Sequence, residues 1–211
     1  MPAPDGRPTD RAGRTDRREL VLGSGSAARL RLLREAGLRP AVIVSGVDED
    51  VDAVDTPSAV MALAERKGRA IVDRCPDALV IACDSLLDLD GRRIGKPSDP
   101  KEAVELWRRL SGRSASLHTG HWLTDTRTGS VAVDMARSTV RFATLSEAEV
   151  RAYVATGEPL GAAGGFTIDG YGSAFVESID GSSSNVLGLS MPLFRRMLLR
   201  LGIDITQLWW P

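Results

Sequence analysis

Residues 78–83 read Ala-Leu-Val-Ile-Ala-Cys, and this uninterrupted apolar run narrows the possible folds more than any other stretch of the chain. Such a run is typical of a strand buried on both faces of a parallel sheet, because it has no polar face to present to water. Asp84 follows the run directly. We therefore predict that the strand ends there and that Asp84 lies at the carboxyl edge of an α/β sheet, where such folds place their chemistry. The alternative is that Asp84 only begins a turn.

The composition is that of an ordinary globular protein. With 211 residues the chain is long enough for one α/β domain, or for a large and a small lobe. Its 27 basic and 28 acidic residues leave a net charge of −1, so no overall field favours nucleic acid or an anionic membrane as a partner. The two cysteines form no CxxC pair, which suits a reducing compartment.

The N-terminal residues differ from the rest. Residues 1–18 carry five arginines and no apolar stretch behind them, a pattern that fits neither a signal peptide nor a membrane anchor. We expect a disordered tail over residues 1–18, a single domain over residues 19–211, and a cytoplasmic protein.

The pattern of strands and helices can be followed along the chain. Gly and Pro positions, helix caps and alternating apolar residues predict the boundaries. The predicted strands cover residues 19–22, 39–44, 78–83, 114–124, 131–143 and 174–179, with a hairpin over 86–94 that turns at Asp90-Gly91. The predicted helices end at Gly37, begin at a Thr56-Pro57 cap, span 100–110, begin at a Ser146/Glu149 capping box, and span 192–201.

The strand, turn and helix start over residues 20–33 form a candidate anion site. Free backbone N–H groups and the helix dipole would point at one spot there, and Ser24 and Arg29 would add donors. The spacing Gly23-x-Gly25-x-x-Ala28 also satisfies a loose dinucleotide fingerprint. The competing prediction is therefore an NAD(P)-dependent oxidoreductase, with the acidic residues at 48–50 on the ribose.

Two lysines occupy unusual positions. Lys67 interrupts an apolar helical stripe, so it either reaches outward to solvent or points into a cleft. Lys96 follows the hairpin in a Gly-Lys-Pro sequence that lacks the spacing and the Ser or Thr of a P-loop. His118 and His121 are three apart on a predicted strand, so they face opposite sides and do not share a metal.

The candidate residues together are a mixture of cations, hydroxyls and carboxylates, which suits phosphoryl transfer. They are Ser24, Arg29, Glu49, Lys67, Asp84 and Lys96.

These motifs, taken in order, resemble those of the Maf family of nucleoside triphosphate pyrophosphatases, once described as septum-formation inhibitors. The resemblance spans about residues 20–202 and rests on Ser24–Arg29, Val47-Asp48-Glu49, Lys67, Ala82–Ser85, Gly95-Lys96-Pro97, Leu110–Arg113, Thr119-Gly120, Gly157-Glu158-Pro159, Ala163–Phe166 and Ser184–Leu189. It implies a Maf/inosine-triphosphatase-like α/β fold: a mixed twisted sheet flanked by helices, with two lobes and a central cleft.

The resemblance also implies an activity. Members cleave a triphosphate between its α and β phosphates, which gives a nucleoside monophosphate and pyrophosphate, with a divalent cation, Mg²⁺ or Mn²⁺. Carried over position by position, Asp84 resembles the proton acceptor for water, and Glu49 with Asp84 the metal-side carboxylates. The phosphate-binding positions correspond to Ser24, Arg29, Lys67 and Lys96. A house-cleaning role linked to cell division arrest and a homodimer are further implications.

Three positions depart from the common family pattern. Ala28 stands in place of the first Arg of an Arg-Arg pair, Ser85 in place of Thr, and Asp169 in place of Gln in an Ile-Gln-Gly motif. These positions resemble those associated with base selection, so ordinary and modified (d)NTPs both stay open as substrates. We place Asp169 by the base edge rather than by the metal. The change at Ala28 also keeps open a nucleotide-sensing division regulator without turnover.

Overall fold

The computed structural model describes residues 18–210, so the tail expected over residues 1–18 lies outside the described residues except for Arg18. A seven-stranded sheet has the order β2-β1-β3-β5-β6-β7, with β4 paired to β3. Its strands are β1 Glu19–Leu22, β2 Ala41–Val42, β3 Ala78–Leu89, β4 Arg92–Ile94, β5 Ser114–Asp125, β6 Ser130–Phe142 and β7 Val176–Asp180. β1 is parallel to β2 and β3, and the other pairs are antiparallel.

Helices flank both faces of this mixed sheet, which confirms the α/β prediction. They are α1 Ala27–Glu35, α2 Thr56–Arg69, α3 Pro100–Leu110, α4 Glu147–Ala155, α5 Glu158–Gly161, α6 Ser183–Val186 and α7 Met191–Arg200. Short 3₁₀ turns occur at Val72–Arg74, Ala163–Gly165, Tyr171–Phe175 and Ile205–Leu208. The strand predicted over residues 39–44 contracts to β2, and the predicted capping box at Ser146 and Glu149 is present.

The prediction that the strand ends before Asp84 is wrong. β3 runs on to Leu89, and Asp84 lies in its interior, paired with Gly120 of β5. Beyond Asp84 the sequence becomes alternating, and Leu87 and Leu89 are buried, so the chain has a new apolar face that keeps it in the sheet. The predicted hairpin is the same strand turning into β4.

The first half of β3 nevertheless has a parallel neighbour, β1. β1 pairs with residues 78–81 and β4 with residues 87–89, both on the side of β3 away from β5. Within the described chain, residues 82–86 pair with β5 only. This segment of β3 is therefore a gap in the sheet, which we call the β3 gap. The turn before α1 borders it at one end and residues 95–97 border it at the other.

The two halves of β3 belong to different hydrophobic cores. Leu79, Ile81 and Cys83 pack with α1 and α7, whereas Leu87 and Leu89 pack with α3 and α4. The β3 gap lies between these two cores, so it occupies the position expected for the cleft between two lobes.

Helix α2 covers the other face of β3 and β5. Its N-cap is Asp55, whose side chain accepts from the Ser58 N–H, so the cap predicted at Thr56 is wrong by one residue. The Thr56 hydroxyl instead donates to Asp88 Oδ2 at 2.5 Å. The helix lies so close to β5 that a Cβ on Gly120 would be 2.1 Å from the carbonyl oxygen of Val60. This close packing fixes where α2 presents its side chains.

Candidate active site

Asp84 and Ser85 point to opposite faces of β3, because successive side chains alternate along a strand. Asp84 lies on the face covered by α2, where it meets Lys67. Ser85 lies on the opposite face, where it meets Arg29 at the start of α1 and Thr119 of β5. Two polar clusters, one on each face, therefore meet at the β3 gap.

The first cluster joins two carboxylates through one ammonium group. Lys67 Nζ lies 2.5 Å from Asp84 Oδ1 and 2.6 Å from Glu49 Oε1. The Lys67 side chain is 12% exposed and that of Asp84 is 8% exposed, whereas that of Glu49 is 68% exposed. Of the two orientations considered for Lys67, the structure shows the side chain directed inward to Asp84 and not outward to solvent.

The charges around Glu49 define the electrostatics of this cluster. The hydrogen bond from Lys67 holds the pKa of Glu49 below its usual range, against burial, which raises it. The positive charges of Lys96 and Arg29 lower this pKa further, although Lys96 is itself exposed. Lys67, Lys96 and Arg29 thus place positive charge around the carboxylate of Glu49, which favours an anionic ligand.

The second cluster is built around Arg29. Its Nε donates to the Gly188 carbonyl at 2.6 Å, Nη1 to Ser24 Oγ at 3.0 Å, and Nη2 to Ser85 Oγ at 2.9 Å. Ser26 caps α1 by accepting from the Arg29 N–H. The guanidinium is held from three sides, so its orientation is fixed before any ligand arrives.

A buried polar chain extends from Ser85 into the protein. Ser85 Oγ and Thr119 Oγ1 are 2.9 Å apart, and Thr119 donates to the Asn185 carbonyl at 3.4 Å. His121 Nε2 accepts from the Ser190 N–H at 2.9 Å, so its Nδ1–H donates to the Thr119 carbonyl at 2.9 Å. Neutral His121 thereby ties β5 to the start of α7.

Sequence reasoning gave no role to Gly188, Thr119 or Asn185, although each lies in a motif quoted above. Arg29 and Gly188 are 159 positions apart. Residue spacing alone carries no signal for a contact at that separation. The glycine at 188 was the usable signal, because its φ of +100° is one that glycine favours.

Asp169 lies in a glycine-rich loop over residues 161–172. Its carboxylate pairs with Arg31, and Ala28 is three residues before Arg31 on the same side of the helix. The structure thus places Asp169 beside Arg31 of α1, the helix that also carries Ala28, and places Ser85 elsewhere, beside Arg29.

A single carboxylate organises that loop. Glu158 accepts hydrogen bonds from the hydroxyls of Tyr153 and Thr167 and from the N–H groups of Tyr171 and Gly172. Burial raises the pKa of Glu158, but these four bonds outweigh it and lower the pKa below its usual value. An ionised Glu158 thus fixes the loop that carries Asp169.

The residues present fit a divalent cation that is shared with a ligand. Over residues 18–210 no group of three or more His, Cys, Asp and Glu side chains is placed to hold a metal ion. The carboxylates of Glu49 and Asp84 do converge on one point, which the Lys67 ammonium occupies. Mg²⁺ is commonly held by one or two carboxylates, with phosphate oxygens and waters as the other ligands.

No helix among residues 18–210 has the length and apolar character needed to span a membrane.

A profile of the family described as "Maf-like protein" matches residues 19–201. The chain belongs to the Maf family. Two similar relatives are each called "Nucleoside triphosphate pyrophosphatase": one from Streptomyces avermitilis, 50% identical over 198 residues, and one from Mycobacterium sp. (strain JLS), 48% identical over 204 residues. The alignments cover 92% and 90% of this chain, and 96% and 97% of the relatives. These two relatives and this chain thus share nearly their whole length.

Among solved structures, the Ham1 protein of Staphylococcus aureus matches with a TM-score of 0.41 and 20% identity, over 60% of this chain and 72% of that one.

Proposed function

We propose that this Maf-family chain is a nucleoside triphosphate pyrophosphatase that hydrolyses (d)NTPs between the α and β phosphates. The observation that carries the proposal is the buried carboxylate of Asp84 in the β3 gap, which pairs with Lys67 on one face of β3, while the fixed guanidinium of Arg29 binds the next residue, Ser85, on the other face. An acceptor for a proton thus lies beside groups that bind phosphate oxygens. Relatives that match over 90% or more of this chain carry the corresponding name.

In the proposed reaction Ser24, Arg29, Lys67 and Lys96 bind and orient the triphosphate. The oxygen of a water molecule forms a bond to phosphorus, while the bond from phosphorus to the bridging oxygen breaks. Asp84 takes the proton of that water, and pyrophosphate leaves with the electron pair of the broken bond. Positioning and charge neutralisation supply most of the rate in such transfers.

Glu49 and Asp84 are the residues that would hold Mg²⁺ or Mn²⁺ in this proposal. The cation would supply neutralisation of the phosphate charge when it is bound. The support is the convergence of the two carboxylate groups on one point.

Base selection is assigned to the positions that depart from the family pattern. Asp169 pairs with Arg31, which lies one helical turn after Ala28 on α1, so both positions are assigned to one end of a ligand. A carboxylate at 169, held on a fixed loop, accepts hydrogen bonds from N–H groups of a base edge. Ser85 acts through Arg29, which donates to it. A homodimer, a cytoplasmic location, a house-cleaning role and a single domain over residues 19–211 complete the proposal.

Two other functions were considered, an NAD(P)-dependent oxidoreductase and a nucleotide sensor without turnover. Membership of the Maf family leaves the NAD(P)-dependent oxidoreductase without support. A nucleotide sensor without turnover uses the same binding groups, so turnover itself separates it from the enzyme.

The test is Asp84→Asn, assayed for pyrophosphate release against a panel of ordinary and modified triphosphates with Mg²⁺ or Mn²⁺. Loss of the proton acceptor should lower kcat by about 100-fold or more. Asp73→Asn, an exposed change at the 3₁₀ turn after α2, is the matched control and should leave kcat unchanged. Turnover like that of the unmodified protein in Asp84→Asn would contradict the assigned role. Binding of triphosphate by the unmodified protein with no pyrophosphate release would favour the sensor.

A further inference from the structure

The ammonium group of Lys67 occupies the point at which two carboxylates converge. Its distances of 2.5 Å to Asp84 Oδ1 and 2.6 Å to Glu49 Oε1 are those of short charge-assisted hydrogen bonds. A divalent cation coordinated by the same two oxygens would have to lie within a few ångströms of this ammonium. Like charges at that separation repel strongly in a partly buried site.

The backbone at Lys67 is not free to withdraw. Gly68 packs under the indole of Trp122, where an added Cβ would be 2.0 Å from a ring carbon. Nearer the start of α2, Val60 lies directly on Gly120 of β5. Helix α2 is therefore held on β5 both before and after this turn, and only the flexible four-carbon stem of Lys67 can move.

The groups around Lys67 are one buried carboxylate, one exposed carboxylate and two further cations. Asp84 is fixed in the interior of β3, whereas Glu49 lies on an exposed segment, so the position of Glu49 depends on the cation that lies between the two carboxylates. A polyanion in the β3 gap would offer Lys67 new acceptor oxygens, since Arg29 and Lys96 already make this region positive.

We propose that Lys67 is an internal competitor for the divalent cation. Without nucleotide its ammonium holds Glu49 and Asp84 together and keeps the cation out. A bound triphosphate draws the ammonium onto its phosphate oxygens and opens the two carboxylates to the cation. This inference rests on the proposed function, and it adds that the cation binds productively only together with the nucleotide.

The test measures Mn²⁺ binding alone, in the absence of any nucleotide. Free Mn²⁺ is counted by electron paramagnetic resonance during titration of the unmodified protein, Lys67→Met and Lys67→Arg. Lys67→Met should bind Mn²⁺ at least about tenfold more tightly than the unmodified protein, because the positive charge beside the bound Mn²⁺ is removed. Lys67→Arg retains the charge and should bind as weakly as the unmodified protein. Lys101→Met, at an exposed lysine of α3, is the matched control and should change nothing.

A further variant assigns the ligands. Adding Glu49→Gln to Lys67→Met should abolish the gain, because one of the two carboxylates is lost. Thermal unfolding with and without Mn²⁺ shows that each variant is folded, and Mn²⁺ should raise the Tm of Lys67→Met more than that of the unmodified protein. Folded Lys67→Met with unchanged or weaker Mn²⁺ binding overturns the inference.

The two proposals fail in different ways. Absence of pyrophosphate release by the unmodified protein would overturn the proposed function, whatever the Mn²⁺ titrations give. Unchanged Mn²⁺ affinity in Lys67→Met would overturn the competition, even if the unmodified protein cleaves triphosphates well.

Discussion

A single backbone conformation at Gly188 determines how Arg29 is held. Gly188 has a φ of +100°, and its carbonyl accepts from Arg29 Nε at 2.6 Å. A Cβ at this position would lie 2.9 Å from the same Nε. The residue that carries no side chain is therefore what lets the guanidinium reach Ser24 and Ser85.

Gly188→Ala should reduce kcat/KM about tenfold or more, since a displaced Arg29 loses a hydrogen bond to a charged group. Steady-state kinetics with a saturating divalent cation measure the loss. The matched control is Gly202→Ala, where φ is +74° but a Cβ would meet nothing within 4 Å. Both variants carry backbone strain, so equal kinetic losses in the two would attribute the effect to strain rather than to Arg29.

At the scale of elements, the contact between α2 and β5 places Lys67 beside Asp84. Gly120 is the cross-strand partner of Asp84 and lies directly beneath Val60 of α2. The absence of a side chain at position 120 therefore sets the distance between α2 and the sheet next to Asp84.

Gly120→Ala should lower the free energy of unfolding by about 1–3 kcal/mol, the usual range for overpacking, because its Cβ would be 2.1 Å from the Val60 carbonyl oxygen. It should also lower kcat, since a raised α2 carries Lys67 away from Asp84. Urea unfolding and pyrophosphate release measure the two effects. Gly161→Ala, where a Cβ meets nothing within 4 Å, should change neither. Normal kcat in a destabilised Gly120→Ala would show that Lys67 does not depend on the height of α2.

The same contact shows what the sequence could and could not predict. Periodicity located α2 and showed that Lys67 interrupts its apolar stripe, and the apolar run located the strand before Asp84. Neither pattern could show that β3 continues past Asp84, because the polar residues there are tolerated only where partners such as Lys67 and Thr56 meet them. The contacts of Arg29 with Gly188 and of Thr119 with Asn185 depend on tertiary packing between distant segments.

At the scale of the whole molecule, one buried histidine adds hydrogen bonds between the central strand β5 and the residue that caps α7. His121 is fully buried, accepts from the Ser190 N–H and donates to the Thr119 carbonyl. A proton on Nε2 would break the bond to Ser190 and place an unpaired charge in the interior. Burial accordingly lowers the pKa of His121 to about 4, although the hydrogen bond to Thr119 opposes the shift.

This shift predicts that the fold loses stability in mild acid. In the unfolded chain His121 takes up a proton as the pH falls below about 6.5, whereas in the folded protein it stays neutral until about pH 4. The unfolded state therefore binds more protons between these values. The contribution of His121 is fully present above pH 6.5 and is lost progressively towards pH 4, up to about 3 kcal/mol in total.

Urea unfolding at pH 7.0 and pH 5.0 measures this loss, since carboxylates with lowered pKa values, such as Glu158, contribute mainly below that window. His121→Gln should be less stable than the unmodified protein at pH 7.0 and should show a smaller drop between the two pH values. His118→Gln removes the other histidine, whose pKa burial also lowers, and separates the two contributions. An unchanged drop in His121→Gln would mean that another group gives the molecule its sensitivity to acid.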